Sequence, residues 1–371
     1  MRVLVLSAYH ADSHRSWLDG LKLHLPELSW TVLSLPPRYF SWRIRGNSLT
    51  WAMMNREILT AEYDVVVATS MTDLSALRGL VPELCRWPTL VYFHENQFAY
   101  PQSQLQRQGV EPQILNLYTA LAADKVVFNS DYNRQTMLDG CDQLLAKLPD
   151  YAPREQVAGQ LARATVLPVG VAVGSQTITL RPAGDRLKVL WNHRWEYDKG
   201  PGRLLTLISE CDKRGLPLDI YIAGQQFRQR PPEFEQIEML IRRSRSLTLN
   251  QFGFVKDAQH YQELIMSCDV VMSTAIHDFQ GLAVLQAAAA GCTPLVPDRL
   301  CYPQWFESMF RYAHCDDIAE EAIGASEKLG YFLSCKRAGN LPVADVAALT
   351  WPQLAPLYRQ LLQCVAEGRN K

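Results

Sequence analysis

The chain has 371 residues, 48% of them hydrophobic and 20% charged, and a formal net charge of −1. That length exceeds one ordinary core and predicts two α/β domains, while the composition, free of low-complexity tracts and solenoid-period repeats, excludes a disordered or repeat protein. With so small a net charge, any nucleic-acid partner has to be held by a local basic patch and not by the field of the whole molecule.

The opening run Met1-Arg2-Val3-Leu4-Val5-Leu6-Ser7 turns polar after one short apolar stretch, so it reads as a first strand and not as a signal peptide. No apolar stretch is long enough to span a bilayer. The nine cysteines are odd in number, scattered and never spaced C-x-x-C, which argues against a disulfide framework and a zinc site and points to a reducing cytoplasm.

Short β-branched runs then alternate with amphipathic segments, the pattern of a parallel sheet wound with helices on both faces. Strands are expected at Val3–Leu6, Thr31–Leu35, Asp64–Thr69, Leu90–Phe93, Lys125–Phe128 and Thr165–Leu167. A second set is expected at Lys188–Trp191, Asp219–Ala223, Leu247–Gln251, Asp269–Ser273 and Thr293–Val296. The fold class is therefore α/β, with doubly wound domains at residues 1–180 and 181–350. A last helix over 351–371, opened by Trp351-Pro352, is expected to pack back on the first domain. In such sheets ligands bind beyond the carboxyl ends of the strands, so the residues after each strand are the candidates.

The first such loop offers His10, Ser13 and His14, with Ser13 expected to cap the helix that follows. From Leu28 to Arg56 there are four arginines and no acid. Arg38, Trp42, Arg43 and Arg45 there combine cations with an aromatic ring, which suits phosphate contacts and base stacking on single-stranded RNA; a loop solvated by arginine and pinned by aromatics has the same pattern. His94 follows the fourth strand with Glu95 and Asn96 beside it, and taken alone it reads equally as a structural histidine.

In the second half, Trp191-Asn192-His193-Arg194-Trp195-Glu196-Tyr197-Asp198-Lys199-Gly200-Pro201 is a strand end, two cations and a helix start. Arg194 and Lys199 can converge beyond the strand with the orphan N–H groups of the helix, making a site for a diphosphate. Surface ion pairs with Glu196 and Asp198 are the alternative. Gly224 and Gln225 end another strand with backbone open to a phosphate. Ser273 to Cys292 reads as a buried strand, a loop and a small-residue helix stopped by Gly291. Gly281 allows close backbone approach, Asp278 is an acceptor for sugar hydroxyls and Gln286 can reach ribose hydroxyls, although a helix packed tightly by alanines accounts for the pattern too. Arg242, Arg243 and Arg245 read as a solvated helix end.

R-x(4)-K followed by Asp278 and Gln286 resembles the donor-binding lobe of the retaining GT-B glycosyltransferases of family 4, whose usual E-x(7)-E these two residues replace. Four blocks narrow the likeness: Tyr92-Phe93-His94-Glu95-Asn96-Gln97-Phe98-Ala99-Tyr100-Pro101, Phe128-Asn129-Ser130-Asp131-Tyr132-Asn133-Arg134, the Trp191 to Lys199 segment, and His277-Asp278-Phe279-Gln280-Gly281. Together they are similar to the tRNA-queuosine mannosyltransferase group. The resemblance implies a GT-B fold of two Rossmann-like domains facing a central cleft. It also implies a nucleotide-sugar donor, GDP-mannose, no metal cofactor, and as acceptor the cyclopentenediol of queuosine in a tRNA anticodon.

By the same resemblance His94, Arg194, Lys199 and Asp278 would be catalytic. Donor contacts would come from Asn192, Gly224, Gln225, Phe252, Phe254, Phe279, Gln280, Gly281, Leu282 and Gln286. Acceptor contacts are expected from the first loop (His10, Ser13, His14) and the arginine–aromatic segment (Arg38, Trp42, Arg43, Arg45) on the pattern of their residues, and from Glu95, Asn96, Asn129, Ser130 and Arg134 in the blocks that carry the resemblance. A GT-B enzyme with another nucleotide sugar and a lipid, glycan or small-molecule acceptor, and a non-catalytic nucleotide-sugar or RNA-binding protein, are the competing readings. The sequence leaves the oligomeric state open.

Overall fold

The computed structural model describes residues 1–100, 109–148, 150–172, 182–227 and 230–368. Pro101 of the block after the fourth strand, and the expected domain boundary at 180, lie outside the described residues. The chain divides into two compact units, Met1–Gly170 with Trp351–Lys371, and Val171–Thr350.

In the first unit β1 (Arg2–Ser7), β2 (Ser29–Ser34), β3 (Val65–Thr69), β4 (Thr89–Phe93), β5 (Lys125–Phe128) and β6 (Thr165–Val166) form one parallel sheet in the order β2-β1-β3-β4-β5-β6. β3 and β4 are buried at every position, so their near-continuous apolar sequences match strands covered on both faces. The winding reverses between β1 and β3, and the loops leaving their carboxyl ends diverge there.

The C-terminal helix Trp351–Ala366 belongs to this unit and is fastened through polar atoms inside the core. The Tyr358 hydroxyl accepts from Trp17 Nε1 (3.1 Å), donates to Pro168 O (2.9 Å) and lies 3.0 Å from the Tyr92 hydroxyl, which itself donates to Leu167 O (2.7 Å). Trp351 lies against Gly20, where a Cβ would stand 2.2 Å from the indole.

In the second unit β7 (Leu187–Trp191), β8 (Leu218–Ala223), β9 (Leu247–Gly253), β10 (Val270–Met272), β11 (Thr293–Pro297) and β12 (Arg311–Tyr312) form a parallel sheet in the order β12-β11-β10-β7-β8-β9. β12 was not among the expected strands: two residues are too few to show a period. The helix Pro201–Lys213 opens on a proline, whose missing N–H costs nothing at a first turn, and buries Leu204, Leu207, Ile208 and Cys211. Asp269, ahead of β10, accepts from Lys188 N (2.7 Å) and pairs with the buried Lys336, binding the start of β10 to β7 and to the helix Ile318–Arg337. Among the described residues no helix is long and apolar enough to cross a membrane.

Tyr358→Phe leaves the indole N–H of Trp17 and a carbonyl of the 167–168 turn without their buried partner. A loss of about 1–3 kcal/mol is expected, read as a lower urea midpoint of the first unit. An unchanged midpoint would show that the hydroxyl does not hold the helix.

Candidate active site

The winding of the second sheet reverses between β7 and β10, and the residues that leave these two strands meet there. Lys199 closes a 3-10 turn, Tyr197–Lys199, after β7. Its buried ammonium donates to His277 O (2.9 Å) and lies 3.3 Å from Asp198 Oδ2 and 3.6 Å from Asp278 Oδ2. Burial pulls its pKa down, but Asp278 and Asp198 outweigh burial and hold it above the ordinary value. For Asp278, burial acts to raise the pKa, and Lys199, followed by His193, overcomes it and keeps the carboxyl below the usual range. Lys199 therefore contributes stability that is lost as pH rises through its raised pKa, and Asp278 stability that is lost as pH falls through its depressed one.

Both Asp278 oxygens are engaged inside the unit: Oδ1 accepts from Gly281 N (3.0 Å) and Oδ2 from the Tyr302 hydroxyl (3.2 Å). Gly281, at φ 73°, is in the left-handed region, and a Cβ there would stand 2.9 Å from the Tyr302 ring. The helix Leu282–Ala289 begins on the next residue, with its first N–H groups beside the Asp278 loop. Asn192 donates to Ala283 O (2.9 Å) and the Tyr261 hydroxyl (3.1 Å), joining the end of β7 to this helix, while its Oδ1 is sealed from solvent without a hydrogen-bond partner among the described residues.

Next to it, His193 is pushed down to a pKa of about 4, first by burial and then by Lys199, so it is neutral at pH 7. Arg194 pairs with Glu196 Oε2 at 2.8 Å and is half-exposed, so for this cation the surface ion pair is what forms. Lys199 is not on the surface. Burial raises the pKa of Glu196.

Gly224 carries the end of β8 onto β7, where a Cβ would come within 1.8 Å of His193 O, and Gln225 O accepts from Trp195 N (2.9 Å). Phe252 packs edge-on against Trp195 at 4.7 Å, whereas Phe254 is 56% exposed. Phe279 meets His277 edge-on at 4.5 Å, Gln280 is buried, and Leu282 and Gln286 lie partly exposed on the helix. Tyr302, which orders both Asp278 and Ser273 (hydroxyl to hydroxyl, 2.6 Å), was not singled out from the sequence because nothing local marks it.

In the first unit His94 leaves β4 and is buried, stacked on His14 at 4.1 Å with Trp17 edge-on at 4.8 Å. Neither of its ring nitrogens has a hydrogen-bond partner among the described residues. Burial, then the charge of His14, holds its pKa well below the ordinary value. Glu95 accepts from Ser70 Oγ (3.1 Å) and lies 3.2 Å from His14 Nε2, bracing that ring. His10 Nδ1 is 3.0 Å from Ser7 Oγ, and its pKa is lowered, chiefly by burial.

Other expected contacts are spent on the fold. Asn96 donates to Asn133 Oδ1 (2.9 Å) and Thr136 Oγ1 (2.9 Å), Asn129 donates to His94 O (2.8 Å), and Ser130 caps the helix Asp131–Ala146 by accepting from Asn133 N (3.0 Å). Asn133, unmarked in the sequence reading, is the centre of this network. Arg134 donates to Ala162 O (3.3 Å). Ser13 does not cap its helix: the helix Asp12–His24 starts one residue earlier, its cap position is Ala11, and no side chain bonds the free N–H groups there. On the helix Phe40–Met54, Arg45 pairs with Asp73 and Glu111 at 3.1 Å each, Trp42 is exposed and Arg43 is buried, and just ahead of the helix Arg38 stands 5.6 Å from the Tyr39 ring.

Asp278→Asn removes one of the two carboxylates that balance the Lys199 ammonium, and a destabilisation of roughly 3 kcal/mol is expected in urea unfolding. A neutral effect would contradict the pairing. His193 is protonated more readily in the unfolded chain than at its folded pKa of about 4, so the stability it leaves intact above pH 6.5 is lost progressively down to pH 4. His193→Gln should flatten this acid slope, and an unchanged slope in urea midpoints over that range would show that His193 is not its source.

A family model described as the N-terminal part of tRNA-queuosine alpha-mannosyltransferase matches residues 2–171. The tRNA-queuosine alpha-mannosyltransferase of Drosophila melanogaster is 30% identical over 312 residues, covering 81% of this chain and 81% of its own. Among solved structures, HepE of Anabaena in complex with UDP and glucose is similar with a TM-score of 0.61 at 14% identity, over 98% of this chain and 99% of that one. The trehalose-6-phosphate synthase OtsA is similar with a TM-score of 0.65 at 12% identity, again over 98% and 99% of the two chains. At those identities the likeness is one of fold, the GT-B glycosyltransferase fold. The sequence match to the Drosophila enzyme is of another order, and by it this chain belongs to the tRNA-queuosine alpha-mannosyltransferase family.

Proposed function

We propose that this glycosyltransferase moves mannose, with retention, from GDP-mannose to queuosine in a tRNA anticodon. Family membership supports the acceptor and the hexose. The observation that carries the donor side is the Lys199–Asp278 pair at the β7/β10 reversal, locked through Gly281 N to the start of the helix Leu282–Ala289.

Charge bookkeeping divides the labour between the two cations. Lys199 faces two carboxylates, so alone it presents no surplus positive field to a diphosphate. Its part is to hold the 277–281 loop and the helix start in place. Arg194, half-exposed and paired with a Glu196 whose carboxyl burial already disfavours as an anion, is the cation that can exchange its partner for a phosphate. The first N–H groups of the helix add donors aimed at the same charge.

As the sugar–phosphate bond loosens, negative charge gathers on the diphosphate and is met by Arg194 and these donors, which is stabilisation specific to the transition state. The acceptor hydroxyl attacks the anomeric carbon on the face the diphosphate leaves, and its proton passes to the departing phosphate oxygen. No enzyme nucleophile and no divalent ion take part in this scheme. Gln286, a neutral amide, can donate and accept with ribose hydroxyls, and neutral His94 can hold a sugar hydroxyl without adding charge. The nine cysteines are all free thiols, which supports the reducing cytoplasm as the place of action.

Incubation with labelled GDP-mannose should label tRNA that contains queuosine and leave queuosine-free tRNA unlabelled, in the presence of a chelator as in its absence. Arg194→Ala should lower kcat roughly a hundredfold. Label on neither tRNA with hydrolysis of the donor would point to another acceptor, and binding without turnover to a non-catalytic protein. Full activity of Arg194→Ala would remove Arg194 from the donor site.

A further inference from the structure

The helix Phe40–Met54 holds a cation that the fold does not balance. Arg43 is only 9% exposed, its Nε is sealed from solvent with no hydrogen-bond partner, and no carboxylate of the described residues forms an ion pair with it. Its neighbours behave differently: Arg45 pairs with Asp73 and Glu111, and Arg56 with Glu83 at 2.8 Å. A guanidinium this far out of water is costly unless an anion arrives to meet it. One turn further along the same face, Asn47 donates to Met71 O (3.2 Å) and accepts from Asp73 N (3.0 Å). That fixes the Arg43 face beside the loop leaving β3, at the rim where the winding of the first sheet reverses.

Two exposed aromatic residues, Tyr39 and Trp42, precede this cation in sequence. Tyr39 has φ 55° and ψ 54°, a left-handed conformation unfavourable for a residue with a Cβ, and its ring is 72% exposed. Strain of that kind in an exposed residue makes no contribution to the core. Trp42 is 56% exposed and lies along the helix over Gly46, where a Cβ would stand 2.3 Å from the indole. Arg38 adds a second cation next to the Tyr39 ring, and no acid occurs in sequence from Leu28 to Arg56. Flat rings alternating with guanidinium groups suit unstacked bases and the phosphates between them.

We propose that the segment Arg38–Arg43 docks a single-stranded stretch of the RNA acceptor, with a backbone phosphate on Arg43 and bases against Tyr39 and Trp42. The proposal rests on the reading of tRNA as acceptor given above and specifies where on this chain the RNA is gripped.

The test is fluorescence anisotropy of a labelled anticodon stem-loop RNA with the full chain across a potassium chloride series. Arg43→Gln should weaken binding about tenfold and reduce the slope of log affinity against log salt by about one. Tyr39→Gly should raise the melting temperature, because glycine accepts the left-handed backbone, while weakening RNA binding by about tenfold. GDP affinity should stay at the wild-type value in both. Wild-type RNA affinity and salt slope in the variants, together with transfer to tRNA by the wild type, would overturn the docking assignment alone. No RNA binding by the wild type would overturn the acceptor reading with it. Loss of GDP binding in Arg43→Gln would make Arg43 a donor contact and likewise overturn the proposal.

Discussion

An ammonium removed from water has to be matched in charge or it will cost several kcal/mol, and the β7/β10 reversal of the second unit is arranged round that constraint at Lys199. Asp198 and Asp278 supply the match and His277 O accepts a hydrogen bond from it. Asp278 in turn spends its remaining capacity on Gly281 N and the Tyr302 hydroxyl, so that one ion pair sets the loop, the left-handed glycine and the first turn of the next helix. The helix N-terminus owes its position to a charge pair formed by residues 79 positions apart, as read from their numbers 199 and 278.

The same arrangement gives a physical meaning to Asp278 standing where the family resembled in sequence has a glutamate. The shorter carboxylate sits close enough to serve Lys199, Tyr302 and Gly281 N at once. With Asp278 consumed by the fold, Arg194 is the half-exposed cation on this side, paired with Glu196. The first unit follows a different logic: His94 is kept neutral by burial and then by the charge of His14, on whose ring it stacks, and both of its nitrogens remain without a protein partner among the described residues. A neutral imidazole with unused hydrogen-bonding capacity suits uncharged hydroxyls better than phosphates.

Much of the fold could be read from sequence because strands buried on both faces, such as β3 and β4, leave unbroken apolar runs. β12, at two residues, leaves none. At the β7/β10 reversal the meeting of Lys199, Asp278 and Gly281 was legible, since each follows a clear strand or stands at a helix start. Tyr302 and Asn133 were not, because their roles depend on partners brought together by the sheet and not on any local pattern. Arg45 shows the opposite failure. It looks like a phosphate contact in a segment without acids, yet Asp73 and Glu111 arrive from elsewhere in the chain to neutralise it. Ser13 failed as a cap since the helix begins ahead of it, at Asp12.

In the proposed function the helix start at Leu282, positioned by the Lys199–Asp278 pair, seats the donor diphosphate with Arg194 as its exchangeable cation. A crystal structure with GDP bound tests it most directly. Phosphate oxygens are expected within hydrogen-bonding distance of the first N–H groups of the helix Leu282–Ala289, with Arg194 turned from Glu196 onto the diphosphate. GDP bound with its phosphates away from that helix, and Arg194 still on Glu196, would contradict it.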